Sequence, residues 1–201
     1  MYPRYCIHAL LSLALLTIAG CASQPETQEL LTPAEIGAWR IGAHSYNQTP
    51  WSLDSGVAYG YGSIIGSPRT YDDFVLECDF LYDGRNEGGI SIRSDVDSIR
   101  PWTVGYELDI DRAPDNINGH IHYPVKPKPY SGDALFQPGV WHQVRIEARG
   151  PHVVTFLDGR KVLEFTDDDF KRGQICLQGE ELGVKYRNLR ITPIPHGVLP
   201  W

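Results

Sequence analysis

"HVVTFLDGRKVLEFT", residues 152–166, holds two short alternating runs joined at Asp158-Gly159. A two-residue loop of this kind suits a type I′ turn, which needs positive φ at both central positions. The stretch therefore reads as an antiparallel hairpin. Working outward, similar alternation recurs at residues 51–53, 57–62, 73–82, 88–94, 103–111, 119–125, 141–149, 173–179 and 183–194. No segment beyond the first twenty residues has a 3.6-residue apolar period. Eleven short strands are too many for one flat sheet, so the pattern predicts an all-β, two-sheet antiparallel sandwich of the jelly-roll kind.

Composition agrees. Twenty Gly, 15 Pro and 11% aromatic residues, with a single Met, favour short strands and tight turns. A formal charge of -7 argues against a nucleic-acid partner, which would require a basic face to displace counterions from phosphates.

The chain begins "MYPRYCIHALLSLALLTIAGCASQPE". One early Arg4 precedes an apolar run from Ala9 to Ile18 that is too short to span a bilayer comfortably, the pattern of an export signal. Its end, "IAGC", resembles the bacterial lipoprotein box, which implies cleavage that leaves Cys21 as a lipid-carrying first residue. The expected organisation is a signal over 1–20, a polar tether over 21–36, a sandwich over 37–195 and a short tail over 196–201. Losing the signal removes Arg4 and no acid, which moves the charge from -7 to -8. The expected location is the cell envelope, lipid-anchored, with Ala22 matching the outer-membrane sorting pattern. The expected state is a monomer.

Cys78 and Cys176 remain in the mature chain. Alternation sends Cys78 into the core with Phe74, Leu76 and Phe80. Cys176 opposes Ile175 and Leu177 and so points the other way. A disulfide needs Cβ atoms that face each other at ~4 Å, which these opposite senses disfavour, and the sequence leaves open whether the two thiols are free.

Three runs decide where chemistry could sit. In "TVGYELDID" (103–111) the apolar set is Val104, Tyr106, Leu108 and Ile110, which leaves Glu107, Asp109 and Asp111 on the opposite face. Unbroken alternation in "GGISIRS" puts Ser91 and Arg93 away from Ile90 and Ile92. In "GHIHYPV", His120 and His122 oppose Ile121 and Tyr123. If the three runs are neighbours, one face carries Arg93, Glu107, Asp109, Asp111, His120 and His122. Such a face can simply be solvated. The segment "YPVKPKPY" (123–130) borders it, and Tyr123, Lys126 and Lys128 could close over a ligand. Trp102 and Trp141 sit at strand starts, where an indole could stack on a sugar ring or anchor a core.

"WSLDSGVAYGYG", "YDDFVLECDF", "GGISIRSD", "PWTVGYELDI", "GVWHQVRIEARG", "FLDGRKV" and "GQICLQGEELGVKYRNLRI" are collinear and resemble the 3-keto-disaccharide hydrolase domain family over about residues 37–194. The resemblance implies a concanavalin A-like lectin/glucanase sandwich and action on glycosides whose C3 hydroxyl has been oxidised to a ketone. Such chemistry requires a base for the C2 proton, a donor or cation for the enolate oxygen and an acid for the leaving group. Glu107, in the family's "GYE" position, and His120 or His122 could supply base and acid. Arg93, matching the Arg that ends a family strand, could hold the enolate charge. His120, His122 and a carboxylate such as Glu107 could instead hold a divalent metal, because positions i and i+2 on a strand share a face. The chain departs from the family pattern at Glu87-Gly88-Gly89, where Asn-Ser-Gly is usual.

Two alternatives stay open. "ELDID" resembles the acidic row of retaining β-glucanases, but Glu107 and Asp111 are ~13 Å apart along an unbulged strand, against the ~5–5.5 Å of retaining chemistry. The other is a membrane-tethered, non-catalytic carbohydrate-binding module, since this fold is also a lectin scaffold.

Overall fold

The computed structural model describes residues 25–85, 87–97, 104–110, 137–180 and 183–195. Among them are thirteen strands: β1 (Gln28–Glu29), β2 (Arg40–Ile41), β3 (Ser52–Asp54), β4 (Val57–Tyr59), β5 (Ser63–Tyr71), β6 (Phe74–Tyr82), β7 (Gly88–Asp95), β8 (Val104–Ile110), β9 (Trp141–Arg149), β10 (His152–Leu157), β11 (Arg160–Thr166), β12 (Gly173–Gly179) and β13 (Val184–Pro193). One short helix, α1 (Pro33–Ile36), starts at the Thr32 cap. Eight strands form one sheet in the order β11-β10-β9-β6-β13-β4-β3, with β1 also on β13. The other five form a second sheet in the order β2-β5-β12-β7-β8, and every pairing is antiparallel. This is the two-sheet antiparallel jelly-roll sandwich expected from the alternation.

The core lies between the sheets. Phe74, Leu76, Cys78 and Phe80 of β6 and Val144 and Ile146 of β9 meet Ile90, Ile92, Tyr106, Leu108, Ile175 and Leu177 from the other sheet. The β10–β11 turn has φ of 48° at Asp158 and 78° at Gly159, the two positive values that an Asp-Gly hairpin was expected to supply. Cys78 and Cys176 are both free and buried, the first in the core and the second on the far face of β12. Burial raises both thiols well above their ordinary range.

Three features differ from the sequence expectation. The fold starts before residue 37: Gln28 and Glu29 pair with β13, and Leu30 is buried, so part of the expected tether belongs to the sandwich. Strand β5 escaped notice because "SIIGSPRTY" does not alternate. Ile64 and Ile65 are consecutive and buried on opposite faces, and Gly66 and Pro68 read as turn residues.

The third difference concerns Arg93. Between Ser91↔Cys176 and Ser94↔Gln174, two residues of β7 stand against one of β12, a bulge in which Arg93 takes φ of 49°. The bulge breaks the period of two and turns Arg93 off the polar face to the end of the sandwich, where it is 2% exposed. Its guanidinium donates to the carbonyls of Asp72 (2.9 Å), Gly150 (2.6 Å) and Phe170 (3.2 Å) and to the Asp73 carboxylate (3.1 Å). Burial pulls its pKa below the ordinary value, and Asp73 opposes the shift. An arginine stays charged under such pressure, so Arg93 is a four-way clamp on three loops and not a holder of substrate charge.

Replacing Arg93 by Met is expected to cost about 3 kcal/mol, because it leaves buried carbonyls without their donor and Asp73 without its counter-charge. Urea denaturation measures this. Arg93→Lys should recover little, since one ammonium cannot reproduce the fork that serves four acceptors.

Candidate functional site

Two cross-strand rows make the outer face of the five-stranded sheet. One runs Gly66–Cys176–Ser91–Glu107 and the next Ile64–Gln178–Gly89–Asp109. Alternation around Tyr106, Leu108 and Ile110 puts Glu107 and Asp109 on this face, as expected. Glu107 is only 5% exposed, and Ser91, directly across from it, is also buried.

The position of the Glu107 carboxylate follows from a residue that has no side chain. A Cβ added to Gly89 would lie 2.3 Å from Glu107 Oε1. The carboxylate therefore leans diagonally from β8 across β7, towards β12. The floor beneath it is fixed from the other sheet. Tyr186, buried in the core, accepts from Gly89 N (3.1 Å), and its hydroxyl lies 2.7 Å from the Gln178 carbonyl and 3.1 Å from the Gly89 carbonyl. Burial raises the Tyr186 phenol well above its ordinary value, so it remains a donor. Gly88 faces inward, where an added Cβ would stand 2.6 Å from Val184 Cγ2. The "GG" pair thus lets the sheets approach on one side and makes room for a carboxylate on the other.

Of the remaining expected site residues, the described ones, Trp141 and Arg93, lie away from Glu107. Trp141 lies on the outer face of the eight-stranded sheet, with the Arg187 guanidinium 4.0 Å over its ring. Sheets in a sandwich are ~10 Å apart, so an indole on that side cannot touch a ligand held at Glu107. Arg93 is at the clamp. Cys21, Trp102, Asp111, His120, His122, Tyr123, Lys126 and Lys128 lie outside the described residues. Among the described residues, no three His, Cys, Asp or Glu side chains are grouped to hold a metal ion.

Sequence reasoning passed over His142. It sits on the inner face of β9 near Phe80 (5.7 Å between rings), with Nδ1 2.6 Å from Asp158 Oδ2 and Nε2 3.0 Å from Gln137 N. Nε2 also lies 3.2 Å from the Gln137 carbonyl, so the ring bridges the segment before β9 and the Asp158 carboxylate. The pair ties the hairpin turn to β9 and is remote from Glu107. Gln178 was also missed as a site residue. Gln178 shares the outer face of β12 with Cys176, and only the pairing shows that it adjoins Gly89.

Residues 30–192 match the 3-keto-alpha-glucoside-1,2-lyase-like domain family. The chain belongs to this family. No functionally curated protein matches it in sequence. Among solved structures, this member of the family is similar to two candidate glycosyl hydrolases from Parabacteroides distasonis. The first has a TM-score of 0.65 at 15% identity, covering 84% of this chain and 94% of that one. The second has a TM-score of 0.65 at 20% identity, covering 84% and 100%. A carbohydrate-binding module from Bacillus subtilis gives 0.58 at 21%, covering 77% and 95%. At these identities the likeness establishes the shared sandwich.

The two glycines are expected to respond differently to an added methyl. Gly88→Ala should lose about 1–3 kcal/mol, because its Cβ meets Val184 and the Gln178 carbonyl inside the packed sandwich. Gly89→Ala should lose less, because the obstructing group is the tip of the Glu107 side chain, which can swing away. Thermal unfolding of the two variants checks the order.

Proposed function

We propose that this protein cleaves the glycosidic bond of 3-keto-glycosides by elimination across C1 and C2. The observation that carries the proposal is the buried Glu107 carboxylate held over Gly89, in a chain of the 3-keto-alpha-glucoside-1,2-lyase-like family.

The C3 ketone acidifies the hydrogen on C2. Glu107 takes that proton, and the C–H electrons form an enolate across C2, C3 and the ketone oxygen. When the enolate collapses, a C1–C2 double bond forms, the C3 ketone is restored and the C1–O bond breaks. The leaving oxygen takes a proton from an acid, so one proton is removed and one delivered, with no change of oxidation state. Water adding to the double bond completes net hydrolysis. Placing a base of this kind on a rigid strand contributes ~10²–10⁴-fold to rate.

With Arg93 committed to the clamp, the acid and the enolate donor fall to Asp109 and to His120 and His122. A divalent ion held by the histidines and Glu107 is the alternative way to stabilise the enolate oxygen. The proposal also keeps the protein in the cell envelope, tethered through a lipid on Cys21, with a neutral or oxidised glycan as its ligand.

Protein starting at residue 22 is to be mixed with 3-keto-glucosides and with their unoxidised parents, with and without chelator, and aglycone release followed. Release from the keto sugars alone, reduced about a thousandfold in Glu107→Gln, is the expected result. No release from either set by folded protein sinks the lyase proposal and favours a binding module. Release from the parents alone favours a glucanase.

A further inference from the structure

Beneath Glu107 the two sheets come closer than a pair of side chains would allow. Gly88 of β7 and Gly179 of β12 are cross-strand partners, and alternation with Ile90, Ile175 and Leu177 turns both of them inward. A Cβ on Gly88 would stand 2.6 Å from Val184 Cγ2, and one on Gly179 would stand 2.7 Å from the Gly60 carbonyl and 3.1 Å from Trp51 Cζ2. The close approach brings one side chain of the eight-stranded sheet into reach of the main chain of the other.

That side chain is Tyr186. It is fully buried, and its backbone lies between Phe80 of β6 and Ala58 of β4, in the middle of a paired sheet. Trp51 braces the ring. The two ring centroids are 6.0 Å apart with 24° between the planes, and the indole is held in turn by its Nε1–H, which donates to Ser63 Oγ at 2.8 Å. The Tyr186 hydroxyl accepts from Gly89 N at 3.1 Å and has a single hydrogen to give. Of its two acceptors the Gln178 carbonyl is the nearer at 2.7 Å, with the Gly89 carbonyl at 3.1 Å. The hydroxyl thus ties β7 to β12 at the pair that contains the glycine over which Glu107 leans.

We propose that Tyr186, braced by Trp51, is a positioning residue for the proposed base: its hydroxyl fixes the main chain at Gly89, and Gly89 fixes where the Glu107 carboxylate rests. This deepens the lyase reading and rests on it. Glu107 Oε1 stands 2.3 Å from the place of the missing Gly89 Cβ, so no side chain lies between the carboxylate and the glycine backbone to absorb a movement. A phenylalanine at 186 fills nearly the same volume but leaves the Gly89 N–H and the Gln178 carbonyl without their bridge. Buried backbone groups do not stay unpaired, so the two strands readjust and the carboxylate moves with Gly89. Proton abstraction depends steeply on the distance and angle between base and C–H, and a displacement of ~1 Å costs up to ~100-fold in rate. Substrate contacts made away from the base are unaffected by it. The loss therefore falls on kcat and spares KM.

Wild type, Tyr186→Phe and Ile191→Val are to be compared on a 3-keto-glucoside. Ile191 is buried on the same strand beside Leu76, so its variant trims the core without touching the bridge. The expected result is a fall of about tenfold in kcat for Tyr186→Phe at unchanged KM, with both constants kept in Ile191→Val. An unaltered kcat in Tyr186→Phe overturns the proposal. So does an equal fall in Ile191→Val, which would tie kcat to core packing alone. A second readout needs no turnover: carboxyl-carbon NMR of glutamate-labelled protein, with the Glu107 signal assigned by its loss in Glu107→Gln. That signal is expected to shift in Tyr186→Phe and to stay in place in Ile191→Val. If wild type cleaves nothing, the lyase reading has failed and the NMR result stands alone, where an unmoved Glu107 signal in Tyr186→Phe overturns the positioning role. Should Tyr186→Phe not fold, Trp51→Phe takes its place, since it keeps an aromatic brace and loses the bond to Ser63. It is expected to move the same signal and lower kcat about threefold, and no change in either overturns the proposal.

Discussion

A single guanidinium, buried where the sandwich closes, holds the ends of three loops. Arg93 satisfies the carbonyls of Asp72, Gly150 and Phe170 and the carboxylate of Asp73. These residues come from the β5–β6 turn, the β9–β10 turn and the segment between β11 and β12, so both sheets are tied at one point. The side chain reaches them only because β7 bulges there, with a non-glycine residue at positive φ. The same bulge sets the phase of the strand. Before it, Ser91 shares the outer face with Glu107. After it, Val96 joins Ile64 and Cys176 in a second apolar cluster on the outer side of the sheet.

Asn188 in β13 repeats the device. Its φ of 52° falls where the pairing with β6 shifts between Arg187 and Arg190. The shift lets Tyr186 and Leu189, three residues apart, both point into the core. Tyr186 then reaches through the sandwich to Gly89 and Gln178, and it supports from below the floor on which Glu107 stands. The site is therefore assembled by irregularities in otherwise regular strands.

That division explains what could be read in advance. Regular alternation made nearly every long strand, the Asp158-Gly159 hairpin, the opposite senses of Cys78 and Cys176 and the outer placement of Glu107 and Asp109 legible in the residues. Arg93 was misplaced because a bulge carries no mark in "GGISIRS" and alternation assumes that none exists. Strand β5 was invisible because it is buried on both faces at Ile64 and Ile65. The early start at Gln28 was hidden by a polar stretch whose only apolar pair, Leu30-Leu31, is too short to show a period. Trp141 illustrates a further limit: a strand-start tryptophan reads the same on either sheet, and only the strand order assigns it to the side away from Glu107.

The two outer faces show why alternating acids cannot be sorted by pattern alone. On the eight-stranded sheet, Asp79 is cross-strand to Arg187 and bonded to it at 3.1 Å, and Glu77 is flanked by Arg145 and Arg190, the latter at 3.3 Å. These acids are neutralised by the ladder itself, and exposed pairs of this kind add little to stability. In the rows that hold Glu107 and Asp109 the cross-strand partners are Ser91, Cys176, Gly66, Gly89, Gln178 and Ile64, with no cation among them. "FVLECDFLY" and "GYELDID" look alike as strings. What separates them is the strand paired alongside, which supplies arginine to one and glycine and serine to the other. On the second kind of row a glycine stands diagonal to the acid, and the space that a Gly89 Cβ would fill is taken by the Glu107 carboxylate.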